Sequence, residues 1–328
     1  MVGVNNQFWI DHAHPFGARP ASSNAGQMGN AVVDIWDAED TDGNFKYEDD
    51  ISQLQLAVKN GSFFYKGFSY RHDCGSTLDL IASLNVPWHP TKTGDQFVDI
   101  FTFIGFLWDL INHRVSLPEV KRLKFLNRVL LLLQSKEAHQ KISLLDVQKI
   151  HGSLVHLCFV FPDGNSHLPC ISFFITTFLG NDYARRHIPN SVSKSLRWWF
   201  NCLSDPSAFR QLYPTPLLQD LGIYVDASTS WGIGIIIKDQ WYAFRLSPYW
   251  KIPGRDICWL EAIALEFLVY FLIQLEFNNA HLRIYSDSDG AIGAHSKGWS
   301  SNSEINLCVR WTYATSTASL LIPHQISP

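Results

Sequence analysis

The sequence predicts a mixed α/β protein of about two domains or more, and three observations predict it. Apolar positions recur at helical spacing from Val120 to Leu133, behind a proline at 118 that suits a helix's first turn. Asp256–Phe277 reads as one strongly apolar helix. From Gly222 onward, short apolar strands that end in carboxylates alternate with helices, as a β-meander, a helix, a strand, a helix and a further strand. At 328 residues the chain is long enough for about two domains.

Taken in order, Phe8-Trp9-Ile10 is strand-like with nothing before it to pair with, and the second half of residues 16–36 has the small and apolar spacing of a closely packed helix. Asp37–Asp50 is acidic and turn-rich. Its end, Tyr47-Glu48-Asp49-Asp50, lies between FKY and ISQLQL and reads as a hairpin tip. Residues 62–80 mix strand-like aromatics with glycine turns, and 84–96 form a loop. FTFIGFLWDL, residues 101–110, reads as one strand, and a second helix follows near Leu144–Phe161. Residues 162–220, rich in Pro, Ser and Trp, are the least legible. A boundary is expected near Pro214–Gly222, which divides the chain into 1–115, 116–214 and 220–328.

Composition excludes several classes. Apolar residues are 46% and charged residues 17%, so sizeable cores can be buried and the chain is not disordered. The net charge of −4 gives no bulk signal for nucleic acid, yet Lys121, Arg122, Lys124 and Arg128 cluster, either as a basic patch or as a solvated helix face. The six cysteines form no CxxC pair, which argues against a zinc knuckle and fits a reducing, intracellular setting in cytoplasm or nucleus. No signal peptide is evident, and the longest apolar runs are too short to span a bilayer, so no membrane is expected.

Three carboxylates stand out. Asp226 and Asp287 each end an apolar strand, where sites gather in open α/β sheets. Glu261 shares a helix face with Ile257, Ala264, Leu265 and Leu268, and an unpaired carboxylate in such a stripe costs on the order of several kcal/mol. A divalent cation shared with Asp226 and Asp287 would remove that cost, and hard oxygen ligands suit Mg²⁺ or Mn²⁺. Taken singly, the aspartates also fit turn or cap residues, and a slight rotation would turn Glu261 to solvent.

The joint pattern is more specific. IYVDAS, two glycine-containing strands, CWLEAIALEFL and then RIYSDS resemble ribonuclease H in order and in spacing, with 35 residues from Asp226 to Glu261 and 26 from Glu261 to Asp287. The resemblance implies that these three are the catalytic metal ligands and that Ser228, with Trp231 and Gly232, lies in the turning stretch beside the substrate. Asp289 is a weaker second candidate. The family's fourth carboxylate has no counterpart after LLIPHQISP, and Glu304 lies too early to supply it.

The first hundred residues resemble the margin of a reverse-transcriptase palm. FGARPAS matches the segment under template and nucleotide, which implies substrate contacts at Phe16 and Gly17. YEDD matches the metal-binding turn, which implies metal at Asp49 and Asp50 and packing of Tyr47 beside the template–primer, with Glu48 where an apolar residue is usual. LNVPWHPTK matches the segment carrying a lysine that protonates pyrophosphate, which falls on Lys92. FIGFLWDL and VSLPEVKRLKF resemble the primer grip and the start of a helical thumb and connection. The palm's earlier aspartate is absent, since Asp11 is not that residue. The whole resembles a retrotransposon reverse transcriptase/ribonuclease H polyprotein, closest in motif to DIRS-like elements and truncated at both ends.

That resemblance implies hydrolysis of RNA in RNA–DNA hybrids or binding to template–primer, with Mg²⁺ or Mn²⁺ as cofactor. The alternative is an inactive relic that retains only nucleic-acid binding. A small-molecule α/β enzyme finds no support, because GxGxxG, GxxxxGK[ST] and GxSxG are all missing.

Overall fold

A computed structural model describes residues 2–4, 7–9, 21–48, 50–86, 88–89, 93–94, 96–212, 214–318 and 321–326. The architecture is mixed α/β, with one five-stranded sheet and several smaller ones. The chain divides into two compact units, Met1–His113 and Arg114–Pro328. The stretches 116–214 and 220–328 therefore lie in one unit, with no division at 214–220.

In the first unit the helix Ala21–Ala38 places Val32 and Trp36 in a small core with Ile81. The Trp36 indole donates to the Thr77 carbonyl. The hairpin read from the sequence is present: Gly43–Tyr47 pairs with Asp50–Leu54, with Tyr47 opposite Asp50 and Glu48 left-handed at φ 54°. Two sequence readings are corrected. Gln7–Trp9 does have a partner, Val2–Val4. FTFIGFLWDL is two strands, Ile100–Phe103 and Phe106–Asp109, because Ile104 (φ 43°) and Gly105 (φ 83°) close a two-residue turn. An isoleucine in a left-handed turn is uncommon, so the unbroken apolar run conceals it.

In the second unit the helix Glu119–Glu137 begins at Pro118, as the sequence indicates. The basic cluster on it does not form one face. Arg122 is buried, donating to Glu119 and to the Leu203 carbonyl, and Arg128 donates to Ser153. Leu144–Leu157 starts with a reciprocal cap between Ser143 and Asp146. Asn190–Ser204 buries Trp199 completely, and its ring lies where a side chain on Gly164 would go.

The last third forms the large sheet. Its strands are β1 (Leu218–Ala227), β2 (Gly232–Ile237), β3 (Gln240–Arg245), β4 (Ala280–Tyr285) and β5 (Leu321–Ile326), in the order β3-β2-β1-β4-β5. β1 to β3 run antiparallel as a meander, while β4 is parallel to β1 and β5 parallel to β4. The helices are α1 (Ile257–Gln274), α2 (Asp289–Lys297) and α3 (Ser303–Ala318). α1 is long and apolar enough to cross a membrane. Here it is a core helix, packed on one side against β1 and on the other against α3, which explains its apolar character all round.

α3 also binds the helical half of its unit. The Ser166 carbonyl accepts from Asn306 Nδ2 at 2.7 Å and from both Nε and Nη2 of Arg310. This buried polar anchor is the physical reason 116–214 and 220–328 belong together. Gly164→Ala forces a methyl to within 2.2 Å of the fully buried Trp199 ring. The expected cost is about 2–3 kcal/mol, read as a lower Tm or denaturant midpoint, whereas an unchanged midpoint would show that the ring can yield.

Candidate metal centre

β1 carries Asp226 near its end, and Asp287 lies two residues beyond the end of β4. What brings them side by side is a change of register. Leu218 and Gln219 pair with His281 and Leu282, but Ile223 and Tyr224 pair with Ile284 and Tyr285. Two additional residues of β1 are taken up in the irregularity between Gln219 and Ile223. Gly222 sits there in the left-handed region at φ 61°, which favours glycine. Carried two residues onward, the second register sets Asp226 beside Asp287. The first would have set it beside Asp289. The irregularity therefore selects between the two candidate aspartates, and Asp289 becomes instead the first residue of α2.

Asp220 pins this irregularity. Its Oδ1 accepts from the Gly222 N–H at 3.1 Å, while its Oδ2 accepts from Arg283 Nη1 at 3.1 Å and the Tyr285 hydroxyl at 2.7 Å. The tyrosine hydroxyl, the Gly222 amide and then Arg283 hold the Asp220 carboxyl below its ordinary pKa. Tyr285 in turn stacks on Tyr224, with ring centres 4.6 Å apart. Nothing in the local sequence marks Asp220 as part of the site, because its partners lie 63 and 65 residues away.

Glu261 comes from α1, whose N-cap is Asp256. It is 4% exposed, in a stripe with the fully buried Ala264 and Leu268, whereas Ile257 at the helix start is exposed. The alternative in which Glu261 faces solvent is thereby removed. Its Oε1 accepts from the Ala227 N–H at 3.2 Å, and that N–H also donates to Asp226 Oδ1 at 2.7 Å. Its Oε2 is buried without a hydrogen-bond partner. Burial, and then the neighbouring negative charge of Asp226, push the Glu261 carboxyl up to about 7, with Asp287 adding to the effect.

One carboxylate oxygen from each of Asp226, Glu261 and Asp287 can be chosen so that all lie within 4.8 Å of one another. Three hard oxygen donors around a point, one with an orphaned buried oxygen, fit a divalent cation of the Mg²⁺ or Mn²⁺ kind. Asp226 and Asp287 open onto a cavity of about 400 Å³ walled by Tyr224, Trp241 and Tyr285. Ser228 lies exposed in the turn after β1, its N–H donating to the Gly232 carbonyl at 2.7 Å and its hydroxyl within 2.9 Å of Ser230. Glu304 is not a free surface residue, since Arg255 Nε donates to it at 2.8 Å.

The other expected site residues belong to the first unit. Tyr47 and Asp50 face each other across the hairpin, both exposed. Phe16, Gly17, Asp49 and Lys92 lie outside the described residues. Among the described residues, the only group of three or more His, Cys, Asp or Glu side chains close enough to share a metal is Asp226, Glu261 and Asp287.

Two predictions follow from this geometry. Asp220→Ala touches no ligand but releases the register, so divalent-cation affinity falls about tenfold or more. The measurement is the Mg²⁺-induced rise in Tm, with Asp220→Asn retaining more of it; an undiminished rise in Asp220→Ala overturns the assignment. Glu261 has a folded-state pKa raised from 4.5 to about 7. Its contribution to stability is complete below the lower value and is lost as pH rises through the upper one. Glu261→Gln, which mimics the protonated acid, is therefore more stable than wild type at about pH 8 in chelator, by about 3 kcal/mol, with no gain at about pH 4. Glu266, also raised to about 7 by burial, is present in both proteins and leaves the difference unaffected. A less stable Glu261→Gln at the higher pH would show that the ionised carboxylate is well accommodated.

No protein-family model matches the chain, and no curated protein is significantly similar to it.

Proposed function

We propose that residues 220–328 are a ribonuclease H-like hydrolase acting on the RNA strand of RNA–DNA hybrids, in a chain of retroelement reverse-transcriptase descent. The observation that carries this reading is the convergence of Asp226, Glu261 and Asp287, from two parallel strands and the intervening helix, on one point. The strand order β3-β2-β1-β4-β5, with a three-stranded meander followed by two parallel strands, supports it.

In this reading Asp226 and Asp287 present exposed oxygens toward the substrate side, and Glu261 holds the inner position from the helix. A pair of Mg²⁺ ions bound by these carboxylates would supply an activated water and charge compensation for the leaving oxygen. The Ala227 amide fixes the angle between Asp226 and Glu261, because both carboxylates accept from it. The hybrid would be recognised through its shape and backbone, including the 2′-hydroxyls that distinguish RNA. The Tyr47–Asp50 hairpin is assigned on the same descent to the metal turn of a polymerase palm.

A second reading, a relic that binds nucleic acid without cleaving it, is favoured by a specific observation: the described residues bring three carboxylates together and not four. Cleavage of a labelled RNA–DNA hybrid in Mg²⁺ separates the two. The hydrolase predicts hybrid-specific cleavage that falls at least about 100-fold in Asp226→Asn. If wild type and Asp226→Asn give the same product yield, the relic reading stands.

A further inference from the structure

A second charged site lies away from the carboxylates, in the helical half of the same unit. The strands Lys141–Ser143 and Arg185–His187 form an isolated antiparallel ribbon, with Lys141 opposite His187, Ile142 opposite Arg186 and Ser143 opposite Arg185. Ile142 is buried, so one face of the ribbon is anchored in the core and the other carries Lys141, Arg185 and His187 outward. All three are exposed. Arg186, on the anchored face, reaches across the Phe178 ring with its guanidinium 5.7 Å from the ring centre. These four residues line a cavity of about 400 Å³ together with Thr177 and Phe174.

No acid is among the cavity's lining residues. Asp146, the nearest acid in sequence to the first strand, is occupied in the reciprocal cap with Ser143. Lys141 and Arg185 lie on the same face as diagonal neighbours across the ribbon, roughly 7–8 Å apart, a spacing of the same order as that of successive phosphates in a polynucleotide. Two large side chains nearby, Phe173 and Tyr183, are 72% and 95% exposed.

We propose that this ribbon is a docking surface for the phosphodiester backbone of a nucleic-acid duplex, with Lys141 and Arg185 as the phosphate contacts. The separation of Lys141 from Arg185 on one face favours an extended polyanion over a single phosphate group. The surface is invisible in the sequence because its two halves lie more than forty residues apart. It also replaces the basic run at 121–128, whose arginines are engaged internally.

Anisotropy of a fluorescent RNA–DNA hybrid, titrated with the intact chain in EDTA across about 50–200 mM salt, tests this without any reaction taking place. Lys141→Ala/Arg185→Ala should weaken binding about tenfold or more and reduce the slope of log affinity against log salt by about two. The Arg185→Lys variant should stay near wild type, as should Lys149→Ala, whose exposed lysine lies outside the cavity. Unchanged affinity and slope in the double variant overturn the proposal. So does a loss that appears equally with inorganic phosphate or with vesicles of anionic phospholipid. Because binding is read without metal, failure of the hydrolase reading, seen as equal cleavage by wild type and Asp226→Asn, leaves this result interpretable on its own.

Discussion

The last third of the chain is organised around the burial of one carboxylate. Glu261 sits in a helix that is apolar on nearly every side, because that helix is pressed between β1 and α3. Such a position normally excludes a charge, and here Glu261 accepts from a backbone amide that it shares with Asp226. One oxygen is left with no partner. Two aspartates beside it make matters worse, since they oppose its ionisation. A protein that only needed a stable core would place an apolar residue there. The arrangement makes sense where a cation, rather than another side chain, supplies the missing positive charge.

The strands meet that constraint through register. Parallel strands bring their C-terminal ends to the same edge of a sheet, so two strands that each end in an aspartate can present both at one place. They do so only if the alignment is right, and the alignment of β1 with β4 changes part-way along. Asp220 supports the change by accepting from the backbone of the irregularity and from two side chains of β4 at once. The site thus depends on a residue that lies outside it and is six positions upstream of Asp226.

The cationic ribbon and the carboxylates belong to one compact unit, joined by the anchor of Asn306 and Arg310 on the Ser166 carbonyl. With an overall charge of −4, the chain nonetheless brings Lys141, Arg185 and Arg186 around one cavity where two short, distant strands meet. The acidic balance of the composition is consistent with that, since the carboxylate centre and the cationic ribbon are separate features of the fold.

By itself the sequence determined the local periodicities and their order. The meander, the apolar helix, the two carboxylate-ending strands and the hairpin at Tyr47–Asp50 were all legible, because each is written in a contiguous run with its own period or turn. So were the three candidate carboxylates, since an acid in an apolar stripe or at a strand end is locally anomalous. Tertiary structure decided what local pattern could not. It buried Glu261, chose Asp287 over Asp289 by a two-residue change of register, and turned Arg122 and Arg128 inward. It split FTFIGFLWDL at a turn that its apolar residues concealed, joined 116–214 to the sheet, and assembled the ribbon from residues 141–143 and 185–187. Each of these depends on pairing between segments far apart in the chain. Such pairings are set by packing and hydrogen bonding across the fold, and no single window of sequence contains both partners.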